Sequence, residues 1–67
     1  MTLRKVAAYT GEREGVTLEA KVYRDTEWGE FRVTLSIGGM RDFAATYHTD
    51  DREDAIETAR RMVGWPV

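Results

Sequence analysis

The sequence predicts an α+β fold: an antiparallel β-meander of three or four strands, followed by one C-terminal amphipathic helix packed on one face of the sheet. Apolar residues recur with a period of two through the first two thirds of the chain, and near its end the period becomes that of a helix. At 67 residues the chain is too short to divide, so 1–67 forms one domain. The predicted element order is β-β-β-β-α.

The first two predicted strands lie on either side of a charged turn. Residues 3–9 contain the run Val6-Ala7-Ala8, which suits an edge strand, and the turn follows at 11–15. The second strand is half-buried, because its apolar and polar residues alternate. Its apolar row is Val16, Leu18, Ala20 and Val22.

The third strand alternates in the same way, with Phe31, Val33, Leu35 and Ile37 as its apolar row. A polar turn over 25–30 joins it to the second strand as an antiparallel pair. Trp28 in this turn either packs over the turn or presents its ring to a partner.

The fourth strand, residues 41–47, follows Gly38-Gly39, and two registers are open. A two-residue loop puts Asp42 and Thr46 on the core side. A three-residue loop, 38–40, places Phe43, Ala45 and Tyr47 beside Leu35, Val33 and Phe31. We favour the three-residue loop because it buries more apolar surface.

The helix is predicted over residues 50–63. Thr49 or Asp50 is the expected N-cap, and Gly64 followed by Pro66 marks the end. Trp65 is expected to fold back on the end of the helix, near Ala59. The apolar stripe consists of Ala55, Ile56, Ala59, Met62 and Val63.

One helix covers one face of a sheet and leaves the other open. The uncovered face is the first functional candidate. It is expected to carry Thr17, Glu19, Lys21, Tyr23, Arg32, Thr34, Ser36 and Asp42.

The residue inventory argues against catalysis. Ser36 is the one serine, His48 is the one histidine, and there is no cysteine, so neither a nucleophile with its base nor a transition-metal site is expected. We predict no enzymatic activity, no catalytic residues, no metal and no cofactor. No apolar run approaches the roughly 20 residues of a membrane span, so a soluble cytoplasmic protein is expected.

Residues 23–33 (YRDTEWGEFRV), followed by 47–55 (YHTDDREDA) and Ala59, resemble the DNA-binding domain of plant ethylene-response factors. The arm-binding domains of conjugative-transposon integrases look similar. The resemblance implies that the open sheet face enters the major groove of DNA, with Arg24, Trp28, Arg32 and Arg41 as counterparts of the reading row. A net charge of −2 and the lack of Asn and Gln depart from that pattern, so DNA binding is the alternative function.

A protein partner is the interpretation we favour. Tyr, Trp and Arg are enriched at the centres of protein interfaces, and all three types occur here on or beside the open face. In size, mild acidity and lack of catalytic groups the chain is similar to small phage-encoded inhibitors of host defence such as anti-CRISPR proteins. That likeness implies steric blocking of a host nucleoprotein complex in the cytoplasm.

The residues expected to contact the partner come from the open face and the turn beside it: Tyr23, Asp25, Glu27, Trp28, Glu30, Arg32 and Thr34. A secondary acidic surface is expected on the helix at Glu53, Asp54 and Glu57. A homodimer through an edge strand or the open sheet face is a further expectation.

Overall fold

Four strands and one helix make up the fold in a computed structural model, which describes residues 3–65 except the side chains of 42–44. The α+β architecture and the element order are confirmed. The strands form one antiparallel sheet in the order β1-β2-β3-β4. The elements are β1 (Leu3–Arg13), β2 (Val16–Asp25), β3 (Glu30–Ile37), β4 (Met40–Thr49) and α1 (Arg52–Met62).

The turn between β1 and β2 is tighter than expected. Arg13 pairs with Val16, so only Glu14 and Gly15 remain in the loop, and β1 extends four residues beyond the predicted end at residue 9. Both loop residues have positive φ, 52° and 78°. Two successive positive φ angles are typical of the primed hairpin turns, whose twist matches that of the flanking strands.

The turn between β3 and β4 corrects the three-residue loop that we favoured. Ile37 pairs with Met40, which leaves Gly38 and Gly39 as a two-residue loop with φ of 58° and 87°. Two glycines adopt these angles without the cost that a Cβ would impose. The geometry of the turn therefore set the loop length, and the pattern of apolar residues did not.

An irregularity within β4 then moves its register. Leu35 pairs with Asp42 and Val33 with Tyr47, so partners two residues apart on β3 are five apart on β4. The three additional residues form a bulge, which bends a strand and re-aims the side chains that follow it. Tyr47 thereby reaches the core face opposite Val33, although the loop is short, and Ala45 packs against the core. The side chain of Phe43 lies outside the described part of the chain.

The core lies between α1 and the central strands. Small residues allow the helix to approach the sheet closely, because Ala20, Ala55 and Ala59 have no exposed surface. Four of the five residues of the predicted apolar stripe lie in or against this core, and Ile56 is the exception. The buried apolar cluster comprises Leu18, Ala20, Val22, Val33, Leu35, Ala55, Ala59 and Val63.

The N-cap of the helix lies one residue after Asp50 and two after Thr49, the two predicted caps. Asp51 is the N-cap, and its Oδ1 accepts hydrogen bonds from the backbone N–H of Glu53 at 2.9 Å and of Asp54 at 3.4 Å. Thr49 supports this cap from outside the helix, since its Oγ1 accepts from the Asp51 N–H at 3.2 Å. Asp51 is the residue whose carboxylate reaches the free N–H groups of the first turn.

The helix ends in a Schellman motif at the predicted glycine. Gly64 has φ of 81°, its N–H donates to the carbonyl of Arg61 at 3.1 Å, and the N–H of Trp65 donates to the carbonyl of Arg60 at 2.8 Å. The motif turns the chain toward β1. Pro66, the other predicted end signal, lies outside the described residues.

The tail after the helix is held by β1. The Trp65 ring packs edge-on against Tyr9 with 5.1 Å between centroids, and its Nε1–H donates to the carbonyl of Thr10 at 2.6 Å. Gly11 lies beside this contact, and a Cβ there would collide with the carbonyl oxygen of Val63. Gly11, predicted as part of a turn, is thus the strand position that lets the helix end approach β1.

Candidate functional site

The face of the sheet turned away from α1 is uncovered throughout residues 3–65. Ala20 and Val22 point to the helix, so the residues that alternate with them on β2 point the other way. The pairing of Lys21 with Thr34 and of Tyr23 with Arg32 brings side chains of β2 and β3 together on this open face.

A groove of about 300 Å³ lies in the open face. We call it the open-face groove. All four strands contribute to it, which makes its composition a property of the assembled sheet. It is lined by Leu3, Lys21, Tyr23, Arg32, Thr34, Ser36 and Arg41.

The charge of the open-face groove is opposite in sign to that of the chain. Twelve acidic residues outnumber ten basic ones overall, yet the lining includes Lys21, Arg32 and Arg41 and no acidic residue. Hydroxyl groups supply the rest of its polar surface. Side chains that donate hydrogen bonds therefore dominate the groove.

Two carboxylates lie on the same face beside this basic region. Glu19 lies two residues before Lys21 on β2, and its Oε1 is 3.4 Å from the Lys21 Nζ. Glu30 lies two residues before Arg32 on β3, and its Oε1 is 3.3 Å from the Nδ1 of His48. Each of these carboxylates therefore places a negative charge beside the basic residues of the groove.

Arg32 holds a buried donor without an acceptor. Its side chain is half-buried between Tyr23 on β2 and His48 on β4, and its Nε has no hydrogen-bond partner within the described structure. Thr34 is only 7% exposed. An unsatisfied buried donor is costly, so an acceptor placed in the groove would gain from satisfying it.

The loop between β2 and β3, residues 26–29, is ordered by Asp25. The Asp25 Oδ1 accepts from the N–H of Glu27 at 3.0 Å and of Trp28 at 3.3 Å, and the Asp25 carbonyl accepts from Gly29 N–H at 2.9 Å. Asp25 itself has no exposed surface. It was expected to contact a partner, but the carboxylate is inside the loop that it orders, so its role here is structural.

Trp28 is presented to solvent by the same loop. Its side chain is 74% exposed, which corresponds to the second of the two expected placements. Because Asp25 pairs with Glu30 to close the loop, Trp28 lies at the end of the sheet that also carries Tyr23 and Arg32. A partner on the open face would meet this indole at its edge.

The acidic residues expected on the helix lie on the other side of the sheet. Glu53 is exposed, the Glu57 Oε2 is 3.9 Å from Arg61 Nη2, and Asp54 accepts a hydrogen bond from Tyr47 at 2.6 Å. One flat partner surface cannot contact both these groups and the open-face groove. The two predicted surfaces are therefore separate.

The hydrogen bond between Tyr47 and Asp54 ties the first turn of α1 to β4. It raises the pKa of Tyr47 above 10.0 and lowers the pKa of Asp54 below 3.8, because it stabilises the neutral phenol and the ionised carboxylate. Asp54 thus has a structural partner.

Sequence reasoning missed part of the groove. Tyr23, Arg32 and Thr34 were expected as partner contacts, and Lys21 and Ser36 only as members of the open face. Arg41 was placed only in the DNA-reading row, because its strand register was open. The Gly38-Gly39 pair was the signal that could have put Arg41 opposite Ser36.

The residues that the likeness to ethylene-response factors assigns to DNA reading do not all lie on one face of the sheet. Arg32 and Arg41 line the open-face groove, whereas Arg24 pairs with Phe31 and so points to the helix side. Asp42, expected on the open face, pairs with Leu35 and not with an open-face residue.

Ser36 and His48, the two residues considered for nucleophilic chemistry, are not strand partners. Ser36 and Arg32, the strand partner of His48, are four residues apart on β3, about 13 Å along the strand. Among the described side chains, which exclude those of 42–44, no group of three or more metal-ligating residues comes together. In the same part of the chain, no helix has the length and hydrophobicity that a bilayer span requires.

Comparison of the chain with protein-family models, with curated proteins and with solved structures found no significant match.

Proposed function

We propose that this protein is a non-enzymatic binding module that recognises a protein partner with the open face of its sheet. The observation that carries the proposal is the open-face groove, a concave and polar feature on a sheet face that no described element covers. Tyr23 and Arg32 line it as paired residues of β2 and β3, and Trp28 is exposed at the same end of the sheet. These are the residue types that contribute most to binding at protein interfaces.

The size of the face suits this role. An interface of standard size buries about 800 Å² on each partner, about a sixth of the 4612 Å² of accessible surface here. Five of the seven lining residues come from β2 and β3, which are held on both sides by other strands. A partner would therefore meet a surface that needs little ordering on binding.

The narrower form of the proposal is a small phage-encoded inhibitor that sterically blocks a host-defence nucleoprotein complex in the cytoplasm. It is supported by the small size, the mild acidity and the inventory of side chains. Glu27 and Glu30 beside the groove could reach basic residues of such a complex. A homodimer through the β1 edge or the open face stays a prediction, which sedimentation equilibrium would test.

DNA binding by the same face is the second candidate. The three basic side chains of the groove favour it, and the division of the predicted reading row weighs against it. Duplex DNA incubated with the protein at low salt distinguishes the two. A mobility shift that weakens steeply as salt is added would favour DNA over a protein partner.

The experiment that tests the open face uses a tagged chain to recover partners from host lysate, followed by titration with the purified partner. Tyr23→Ala and Arg32→Glu are expected to raise Kd about tenfold or more, since central Tyr and Arg residues carry most of the binding free energy. Glu53→Ala and Glu57→Ala, on the helix side, serve as controls with no expected effect. Loss of binding in the helix variants alone would show that the open face is the wrong surface.

A further inference from the structure

We infer that the open-face groove is a discrete anion site that receives the carboxylates of an acidic segment of the partner protein. This inference rests on the proposed function, because it concerns the same face, and it adds the chemistry of what the partner presents. It also makes this part of the interface sensitive to salt.

The charge of the open-face groove is complementary to that of a carboxylate. Lys21, Arg32 and Arg41 come from β2, β3 and β4 and converge on one groove, although the chain as a whole has a net charge of −2. A carboxylate is the group whose charge complements a groove lined by three basic side chains and no acidic one. The ion pair of Lys21 with Glu19 is solvent-exposed and worth little, so an incoming carboxylate can compete with it.

The hydrogen-bond donors of the groove also suit a carboxylate. The guanidinium of Arg32 matches a carboxylate in shape, and its buried Nε has no acceptor within the described structure. The hydroxyls of Tyr23, Thr34 and Ser36 add donors around it. An acceptor in the groove would therefore pair a donor that is already removed from water.

The size of the groove and the carboxylates beside it favour a peptide over a nucleic acid. Glu19 and Glu30 lie on the same face next to basic residues of the groove, so a phosphate backbone that crossed the face would pass close to carboxylates. A volume of about 300 Å³ holds one or two anionic groups and not a track of them. Nucleic-acid binding draws its affinity from many phosphate contacts, which this surface does not provide.

The test is a titration of the ¹⁵N-labelled full chain, followed by backbone amide shifts. The probes are a blocked hexaglutamate peptide, a blocked hexaglutamine peptide, inorganic phosphate and a short duplex DNA. Hexaglutamate is expected to give saturable shifts at residues 21, 32, 34, 36 and 41 that diminish with added salt. Hexaglutamine is expected to leave these amides unmoved.

Matched variants separate the groove from net charge. Lys21→Gln and Arg41→Gln are each expected to raise the Kd for hexaglutamate about tenfold, the loss of one charge-assisted hydrogen bond. Arg52→Gln removes the same charge from α1 on the other face and is expected to leave Kd unchanged. Circular dichroism of each variant confirms that it is folded.

Three results would overturn the inference: no shifts with hexaglutamate, an equal loss of affinity in Arg52→Gln, or tighter binding of phosphate or DNA at the same amides. The proposed function is tested separately, by measuring how Tyr23→Ala changes the Kd for the purified partner. If Tyr23→Ala weakens partner binding while hexaglutamate is inert, only the anion site fails. If hexaglutamate binds the groove while Tyr23→Ala and Arg32→Glu leave partner binding intact, the proposed function fails.

Discussion

Asp25 shows how one side chain can order a candidate binding loop without touching a partner. The carboxylate is fully buried, and it replaces water for the N–H groups of Glu27 and Trp28. Those two bonds hold the loop in the form that exposes the indole of Trp28. The two residues therefore depend on each other: buried Asp25 orders the loop, and the ordered loop exposes Trp28.

Replacing Asp25 should destabilise the loop in a graded way. Asp25→Ala leaves both N–H groups without their acceptor and is expected to lower the free energy of unfolding by about 1–3 kcal/mol. Asp25→Asn retains one acceptor oxygen and should lose less. Urea denaturation measures the free energy of unfolding of both variants. If both lose the same amount, the stabilisation by Asp25 does not come from the hydrogen bonds to its Oδ1.

Gly11 is the other position where a single residue decides the packing. Gly→Ala in a strand of ordinary φ stabilises a protein by about 0.4–1 kcal/mol when space is available, because it restricts the unfolded chain. Here the added methyl would displace Val63 and the end of α1. We expect Gly11→Ala to destabilise the protein by about 1–3 kcal/mol in thermal or urea unfolding. A stabilised variant would contradict the close approach of the end of α1 to β1. The sign of the change in unfolding free energy is therefore enough to decide.

At the scale of elements, both short hairpins use two residues with positive φ, but with different sequences. The β3–β4 turn has two glycines, whereas the β1–β2 turn has a glutamate at its first position with φ of 52°. A residue with a Cβ pays about 1–2 kcal/mol for the left-handed region, and Asn pays less. The β1–β2 turn is therefore stable despite its sequence, because the pairing of its two strands holds it.

Glu14→Asn should stabilise the protein by about 0.5–1 kcal/mol, since Asn-Gly is the preferred pair for this turn. Glu12→Asn, a change of the same type at an exposed strand position next to the turn, serves as control and should not stabilise. Thermal unfolding of both variants checks the prediction. A gain in the control equal to that in Glu14→Asn would attribute the effect to charge and not to the backbone angle.

The attachment of α1 to β4 should depend on pH. The lowered pKa of Asp54 means that its contribution to stability is present above about pH 4 and is lost as pH falls through the folded pKa. The raised pKa of Tyr47 means that its contribution is present below about pH 10 and is lost as pH rises through the folded pKa. The hydrogen bond thus stabilises the fold between these limits.

Tyr47→Phe should lower the free energy of unfolding at about pH 7 and converge on the wild type at about pH 2. Tyr23→Phe removes the same hydroxyl from the open face and should show no such pH dependence. Urea denaturation at the two pH values gives the comparison. A constant difference between Tyr47→Phe and the wild type across this range would contradict the assignment.

At the scale of the whole molecule, the helix is too short for the sheet. Eleven residues of α1 extend about 16 Å, whereas ten residues of β2 extend about 33 Å. Val16, Ile37 and Met40 follow the core rows toward the two short turns and are 40%, 42% and 77% exposed. The core is therefore concentrated under α1, and both the open face and this end of the sheet stay in contact with solvent.

Amide hydrogen exchange should reproduce this distribution. The amides of β2 and β3 are expected to exchange slowest, because these strands are paired on both sides and lie under the helix. Exchange in the bulge of β4, residues 43–46, should be faster by an order of magnitude or more, since its ladder is interrupted. Slower exchange in the bulge than in β2 would be inconsistent with this fold.

Much of the fold and part of the site followed from local patterns. The alternation of Leu18, Ala20 and Val22 predicted a strand with one buried face, and the same alternation placed Tyr23 on the open side. Gly64 predicted the end of the helix. These inferences hold because side-chain direction along a strand and the geometry of a helix end depend on only a few neighbouring residues.

Other features depended on contacts between distant residues. Arg41 joined the groove because the two-residue turn pairs it with Ser36, and a shift of one residue reverses the face of every side chain. The interior position of Asp25 likewise depends on how the loop closes. The sequence by itself determined the element types, their order and which face of the sheet is apolar, because these depend on local periodicity. Only the tertiary structure decided that three basic side chains from three strands meet in one groove, because strand register is a long-range property.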